Sequence, residues 1–159
     1  MALMNPDTVA EPATLADVIA RRALRVHFQP IVSVPTGRVL AYEALSRGPQ
    51  GSAYANPLPM FQAAREHGLL ASLERVCRER AIESWVDTGL SELLFLNVSP
   101  EVLIDPSHIS GITIQLLADH GLTPPHIVIE ITEQSPGIDP GLMAEAAEHY
   151  QSMGFSIAL

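Results

Sequence analysis

Residues 25–47 read RVHFQPIVSVPTGRVLAYEALSR, and this stretch decides the start of the fold. It contains two apolar-rich strand candidates, Arg25 to Val34 and Arg38 to Arg47. The short turn Pro35-Thr36-Gly37 lies between them. Because so short a turn joins neighbouring strands as a hairpin, we predict that these two strands pair in antiparallel fashion.

The rest of the chain alternates between strand and helix patterns. Compact apolar runs predict buried strands at Leu93 to Val98, His126 to Thr132 and Phe155 to Leu159. Apolar residues at helical spacing predict helices over Leu15 to Ala23, Leu58 to Ala64, Leu70 to Trp85, Ser107 to Leu117 and Asp139 to Met153. Thr14, Ser107 and Asp139 are the expected N-caps.

This alternation favours an α/β fold with a predominantly parallel sheet covered by helices, either doubly wound or barrel-shaped. A complete (β/α)₈ barrel needs about 250 residues, so five strands in 159 residues correspond to about half of one. Residues 1–13 lack periodicity and read as a flexible lead-in or linker. We therefore expect the folded part to cover residues 14–159.

Composition and charge exclude several functions. Eighteen acidic against nine basic residues give a net charge of −9, and no run of Lys or Arg provides a nucleic-acid footprint. A phosphorylated ligand would need metal ions or a nearby Arg to offset this field. Cys77 is the sole cysteine, which leaves no intramolecular disulfide and suits a reducing cytoplasm. No stretch is apolar for long enough to predict insertion into a membrane.

Glu43 is the first candidate for chemistry. Period-two geometry places it on the same strand face as Arg47, among apolar neighbours. A carboxylate in such a strand is costly to bury unless it is paired or binds a metal. On this segment alone, a Glu43 to Arg47 ion pair and a metal site are equally good interpretations.

Two later strands repeat this theme. Asn97 falls near the carboxyl end of its strand, and Glu130 is enclosed by isoleucine and valine side chains. Taken alone, the position of Asn97 favours a turn or capping residue over a metal ligand. Together with Glu43, these residues place oxygen-bearing side chains at or near the carboxyl ends of three apolar strands, where barrels and doubly wound folds build active sites. Such oxygen donors suggest Mg²⁺ or Mn²⁺.

Four motifs in order carry a more specific resemblance. They are Phe28-Gln29-Pro30-Ile31, Tyr42-Glu43-Ala44-Leu45-Ser46-Arg47, Phe95-Leu96-Asn97-Val98-Ser99-Pro100 and Glu130-Ile131-Thr132-Glu133. Together they resemble the signatures of EAL-type cyclic di-GMP phosphodiesterases. The resemblance implies a TIM-like barrel with an antiparallel early strand, of which residues 14–159 would be the N-terminal part, truncated after about the fifth strand.

The resemblance also implies roles for individual residues. Glu43, Asn97 and Glu130 would be the catalytic metal ligands for Mg²⁺ or Mn²⁺. A second group would bind substrate, with Arg47 on a phosphate, Gln29 lining the site and Leu45 packing near the nucleotide. Glu133 would steady a loop involved in metal binding and dimerisation. The implied reaction is metal-assisted attack of water on one phosphodiester bond of cyclic di-GMP, giving linear pGpG.

The family's later aspartates, which contribute metal ligands, follow the strand that Phe155 to Leu159 resembles and lie beyond this sequence. We therefore expect the parent domain to be the active enzyme and this chain alone to be inactive. The alternative is a non-catalytic cyclic di-GMP receptor or protein-interaction module. A cytoplasmic homodimer is the expected setting. Glu74 is expected to be solvated or ion-paired, and Cys77 a small core residue.

Overall fold

The computed structural model describes residues 14–104, 111–131 and 139–159. The expected linker at residues 1–13, the Ser107 cap and the loop-stabilising Glu133 lie outside these described residues. Within the described part, no helix is both long and apolar enough to cross a membrane.

Five strands form one mixed sheet, as the alternating pattern predicts. They are β1 (Arg25–Val32), β2 (Val39–Arg47), β3 (Leu93–Val98), β4 (Ile127–Ile131) and β5 (Ser156–Ala158), and their order in the sheet follows the order in the chain. β1 and β2 pair in antiparallel fashion, whereas β3, β4 and β5 are each parallel to the preceding strand. The predicted hairpin and the parallel remainder are both confirmed.

Helices precede the sheet and connect its parallel strands. They are α1 (Leu15–Ala20), α2 (Pro57–Glu66), α3 (Leu70–Thr88), α4 (Ile112–Asp119) and α5 (Pro140–Ser152), with 3₁₀ turns at Pro100–Ile104 and Pro124–His126. Thr14 caps α1 in a capping box with Asp17, and the Asp139 side chain accepts a hydrogen bond from the Gly141 N–H at the start of α5. Both predicted caps are confirmed.

The predicted start of the fourth helix is wrong. Gly111 is the residue before α4 and has a φ of 79°, a left-handed conformation that interrupts a right-handed helix. The helix therefore begins at Ile112, with Gly111 in the N-cap position. Of the residues predicted to face inward, Leu117 is fully buried and Leu116 packs against the core, whereas Ile112 is only partly buried.

One face of the sheet packs against the helices and forms the larger core. Alternate residues of β3 and β4 are buried there, namely Leu94, Leu96, Val98, Ile127, Ile129 and Ile131. Trp85 of α3 covers the hairpin, with its ring 5.3 Å from that of Phe28 and 5.6 Å from that of Tyr42. Burial on this face leaves the intervening residues of each strand, including Asn97 and Glu130, on the opposite face.

Candidate functional site

Strand register determines which polar side chains meet on the opposite face. In the hairpin, Gln29 lies directly across from Glu43. Between the next strands, Glu43 pairs with Phe95, which shares its face with Asn97 two residues further along β3. Asn97 then pairs with Glu130 of β4. The predicted residues therefore occupy neighbouring positions on four adjacent strands.

A hydrogen bond joins two of the three predicted ligands. The Asn97 Nδ2 donates to Glu43 Oε1 over 2.7 Å, although the two residues are 54 positions apart in the chain. This contact orients the amide so that its nitrogen is used by Glu43. The Asn97 side chain is thus held by a carboxylate and is not a local turn or cap.

Glu130 stands beside this pair and is half-buried. Its pKa is raised above the ordinary value of 4.5, first because partial burial disfavours the charged form and second because the negative charge of Glu43 is nearby. Repulsion between Glu43 and Glu130 means that a bound cation would relieve an unfavourable charge pair.

Arg47 does not form the ion pair with Glu43 that the strand pattern allowed, since the described part of the chain contains no such bridge. Its Nη1 donates instead to the carbonyl oxygen of the neighbouring Ser46 over 2.9 Å. The guanidinium is part-buried at the end of β2. The interpretation of Glu43 as a simple strand-end ion pair is therefore wrong.

A cavity of about 130 Å³ opens at the carboxyl ends of β2 and β3. Four predicted site residues line it: Glu43, Leu45, Arg47 and Asn97. Its other walls come from the rest of these strand ends and from α2 and α3, and include Phe61, Glu74, Cys77, Arg78 and Ser99. Gln29 and Glu130 adjoin the site through strand pairing but do not line this cavity.

Glu74 is the cavity residue whose part was not foreseen. It was expected to be solvated or ion-paired, and it is ion-paired with Arg78 at 3.5 Å but only 2% exposed. Its Oε1 accepts a hydrogen bond from the backbone N–H of Ser99 over 3.0 Å. The signal was available in the sequence, because Glu74 and Arg78 are spaced i, i+4 along the apolar stripe of α3.

The donor set fits a divalent cation only in part. Among residues 14–104, 111–131 and 139–159, no three His, Cys, Asp or Glu side chains are grouped as a metal site. Glu43, Glu130 and Asn97 nevertheless offer two carboxylates and one amide, the oxygen ligands that hard cations accept. Mg²⁺ commonly retains several waters and needs few protein ligands, so these three residues suit such an ion.

The described sheet and its polar strand ends define an α/β barrel-type domain with a candidate site at the carboxyl ends of β2 and β3. The chain belongs to the EAL domain family, because the EAL domain model matches residues 13–159. The fold predicted from the motif resemblance is thereby confirmed, including the antiparallel first pair.

Proteins with related sequences and structures include named cyclic di-GMP phosphodiesterases and EAL domains. The chain is 28% identical over 149 residues to the probable cyclic di-GMP phosphodiesterase PdeB of Escherichia coli. It superimposes on the PaMucR phosphodiesterase in complex with c-di-GMP with a TM-score of 0.71 and 26% identity, covering 90% of this chain. A Klebsiella pneumoniae BlrP1 complex with manganese and cy-diGMP shares the fold at a TM-score of 0.67 and 24% identity, over 86% of this chain.

The matched region is a part of each of these proteins. The chain spans 28% of PdeB, 60% of the PaMucR chain and 34% of the BlrP1 chain. The family relationship is therefore established for residues 13–159.

Proposed function

We propose that the EAL domain to which this chain belongs hydrolyses cyclic di-GMP to linear pGpG with Mg²⁺ or Mn²⁺. The observation that carries the proposal is the hydrogen bond between Asn97 and Glu43, with Glu130 on the adjacent strand. Family membership and the relatives named as phosphodiesterases give the substrate class.

Glu43, Asn97 and Glu130 are the residues that would hold the metal. A bound Mg²⁺ or Mn²⁺ would polarise a phosphoryl oxygen and lower the pKa of water. The protein's own contribution is to keep two mutually repelling carboxylates and an amide close together on a rigid sheet. The Glu43 to Asn97 hydrogen bond fixes one of these contacts before any ligand arrives.

The substrate-binding group is assigned beside these ligands. Arg47, at the mouth of the cavity, would contact a phosphate, and its freedom from Glu43 keeps the guanidinium available. Leu45 would pack near the nucleotide, and Gln29 would line the site from β1. By the motif resemblance, Glu133 would steady a loop, although it lies outside the described residues.

The complete domain and this chain are expected to differ in activity. By the motif resemblance, the complete metal site also uses later aspartates, which would follow the strand that Phe155 to Leu159 resembles. We expect the chain alone to hydrolyse cyclic di-GMP much more slowly than a complete domain. The proposed setting is a cytoplasmic homodimer.

The test compares the complete EAL domain containing this chain with its Glu43→Ala variant. With cyclic di-GMP and Mn²⁺, the unaltered domain should produce pGpG, and Glu43→Ala should lower the rate by more than about 100-fold because a metal ligand is lost. A matched control is Glu92→Ala, at a carboxylate before β3 that lies outside the cavity.

Two outcomes would contradict the proposal. Retained turnover in Glu43→Ala would remove the role assigned to Glu43. Tight binding of cyclic di-GMP by the unaltered domain without any pGpG would favour the non-catalytic receptor.

A further inference from the structure

The buried carboxylate of Glu74 lies close to the candidate metal site, because Glu74 lines the same cavity as Glu43 and Asn97. It projects from α3, is 2% exposed, and has no place in the proposed chemistry. Burying a charged group this deeply costs several kcal/mol unless the group is paired and hydrogen-bonded. Glu74 has both kinds of partner, and one of them belongs to the site.

The first partner is the backbone of β3. Glu74 Oε1 accepts a hydrogen bond from the Ser99 N–H over 3.0 Å. Ser99 follows the end of β3 and is two residues beyond Asn97. Because both groups are buried, an alternative hydrogen bond to water is not readily available, so the contact fixes where the strand ends.

The second partner is Arg78, whose Nη1 lies 3.5 Å from Glu74 Oε2. Arg78 lies one turn further along α3 and is also buried. It therefore holds the Glu74 carboxylate in one orientation, with the other oxygen directed at Ser99. The two oxygens thus have separate tasks.

A second clamp acts on the same strand end from α2. Arg65 Nη2 lies 3.5 Å from Ser99 Oγ, and Arg65 Nε forms an ion pair of 2.8 Å with Glu101. Side chains from two helices, α2 and α3, thus hold the segment that follows β3 through hydrogen bonds and an ion pair. These contacts act on the end of β3, the strand whose Asn97 side chain donates a hydrogen bond to Glu43.

The geometry points to Glu74 as a positioning residue for Asn97. Its carboxylate anchors the backbone at Ser99, which sets the position of Asn97 against Glu43 and, resting on the proposed function, against the metal. Within residues 14–104, 111–131 and 139–159, no hydrogen bond or ion pair joins Glu74 to Glu43 or to the proposed substrate group. Its role is exerted through the backbone of β3.

Two substitutions distinguish the effect of the length of the Glu74 side chain from the effect of its charge. Glu74→Asp keeps the negative charge beside Arg78 but shortens the side chain, so its oxygen withdraws from the Ser99 N–H. Glu74→Gln keeps the length and an acceptor oxygen but removes the charge. A positioning role predicts that Asp is the more damaging change, whereas a role confined to the ion pair predicts that Gln is.

Amide hydrogen exchange in this chain, without metal, measures directly the hydrogen bond between the Ser99 N–H and Glu74. Protection of the Ser99 N–H should fall by at least about tenfold in Glu74→Asp and stay within about threefold of the original in Glu74→Gln. In the complete domain, the Kd for Mn²⁺ should rise by about tenfold or more in Glu74→Asp. Glu79→Asp is the control, because Glu79 pairs with Arg75 on the same helix and with Arg22 after α1, and neither partner lies in β3.

Equal Ser99 protection in Glu74→Asp and the original chain would overturn the inference, as would weaker Mn²⁺ binding in Glu74→Gln than in Glu74→Asp. The proposed function fails separately. A complete domain that makes no pGpG, yet shows the expected contrast between Asp and Gln in exchange and Mn²⁺ binding, would remove hydrolysis and retain the positioning role.

Discussion

The two faces of the sheet put neighbouring residues of one strand to opposite uses. On β4, Ile129 is fully buried against the helices, whereas Glu130 is half-buried on the other face beside Asn97. Burial of the Ile129 side chain stabilises the fold. Glu130 carries a carboxylate whose pKa is raised by partial burial and by the nearby charge of Glu43. Stability and candidate chemistry are therefore separated by one residue of a strand.

The largest expected effect comes from the polar face. Glu130→Ala should lower pGpG production by the complete domain by more than about 100-fold, because a proposed metal ligand is lost. The free energy of unfolding should stay the same or rise, since the variant removes a carboxylate repelled by Glu43. Parallel measurements of turnover and of urea unfolding check both parts. A Glu130→Ala variant that is less stable but retains turnover would contradict the assignment of chemistry to the face of the sheet that carries Glu130.

The matching change on the apolar face should have the opposite pattern. Ile129→Ala removes a fully buried side chain and should lower the free energy of unfolding of this chain by about 2 to 5 kcal/mol. Turnover per folded molecule of the complete domain should change little, because the side chain faces away from Glu43 and Asn97. Urea unfolding and active-site titration separate the two quantities. An unchanged midpoint would show that the core is not located where the structure has it.

A smaller effect concerns Glu74, which lies on the buried side yet carries a charge. Burial raises its pKa from 4.5 to about 7, although Arg78 and the Ser99 hydrogen bond act against that shift. Between these pH values the folded chain keeps a proton that the unfolded chain has released. The contribution of Glu74 to stability therefore falls as pH rises from about 4.5 to 7, by at most about 3 kcal/mol.

Glu74→Gln isolates this contribution, because the amide does not titrate and the other groups are shared. The unfolding free energy of the original chain minus that of Glu74→Gln should decrease from pH 5 to pH 7 in urea titrations. A difference that is independent of pH would show that Glu74 does not titrate in this window.

The sequence predicts the sheet well because its strands are compact apolar runs bounded by turns. Leu93 to Val98 matches β3 at both ends, and the hairpin follows from its short turn. The start of α4 was missed because it depends on the left-handed conformation of Gly111, and a glycine within a helical pattern does not reveal its φ. The helix spacing gives the inward face but not the first residue.

The candidate site is predictable only as a set of residues. Strand alternation places Glu43, Asn97 and Glu130 near strand ends, but the hydrogen bond between Glu43 and Asn97 depends on the register of β2 against β3. The same limit applies to Arg47, whose spacing from Glu43 allowed an ion pair that the structure does not form. The role of Glu74 was underestimated because helical spacing does not show which backbone group of a neighbouring element packs against the side chain, here the Ser99 N–H.

The most direct test of the account is a crystal structure of the complete domain grown with Mn²⁺, with anomalous scattering recorded at the manganese edge. We predict an anomalous peak within about 2.0 to 2.3 Å of oxygen atoms of Glu43, Asn97 and Glu130. A peak bound by other residues, or none at manganese concentrations that support turnover, would contradict the claim that the polar face of this sheet is the metal site.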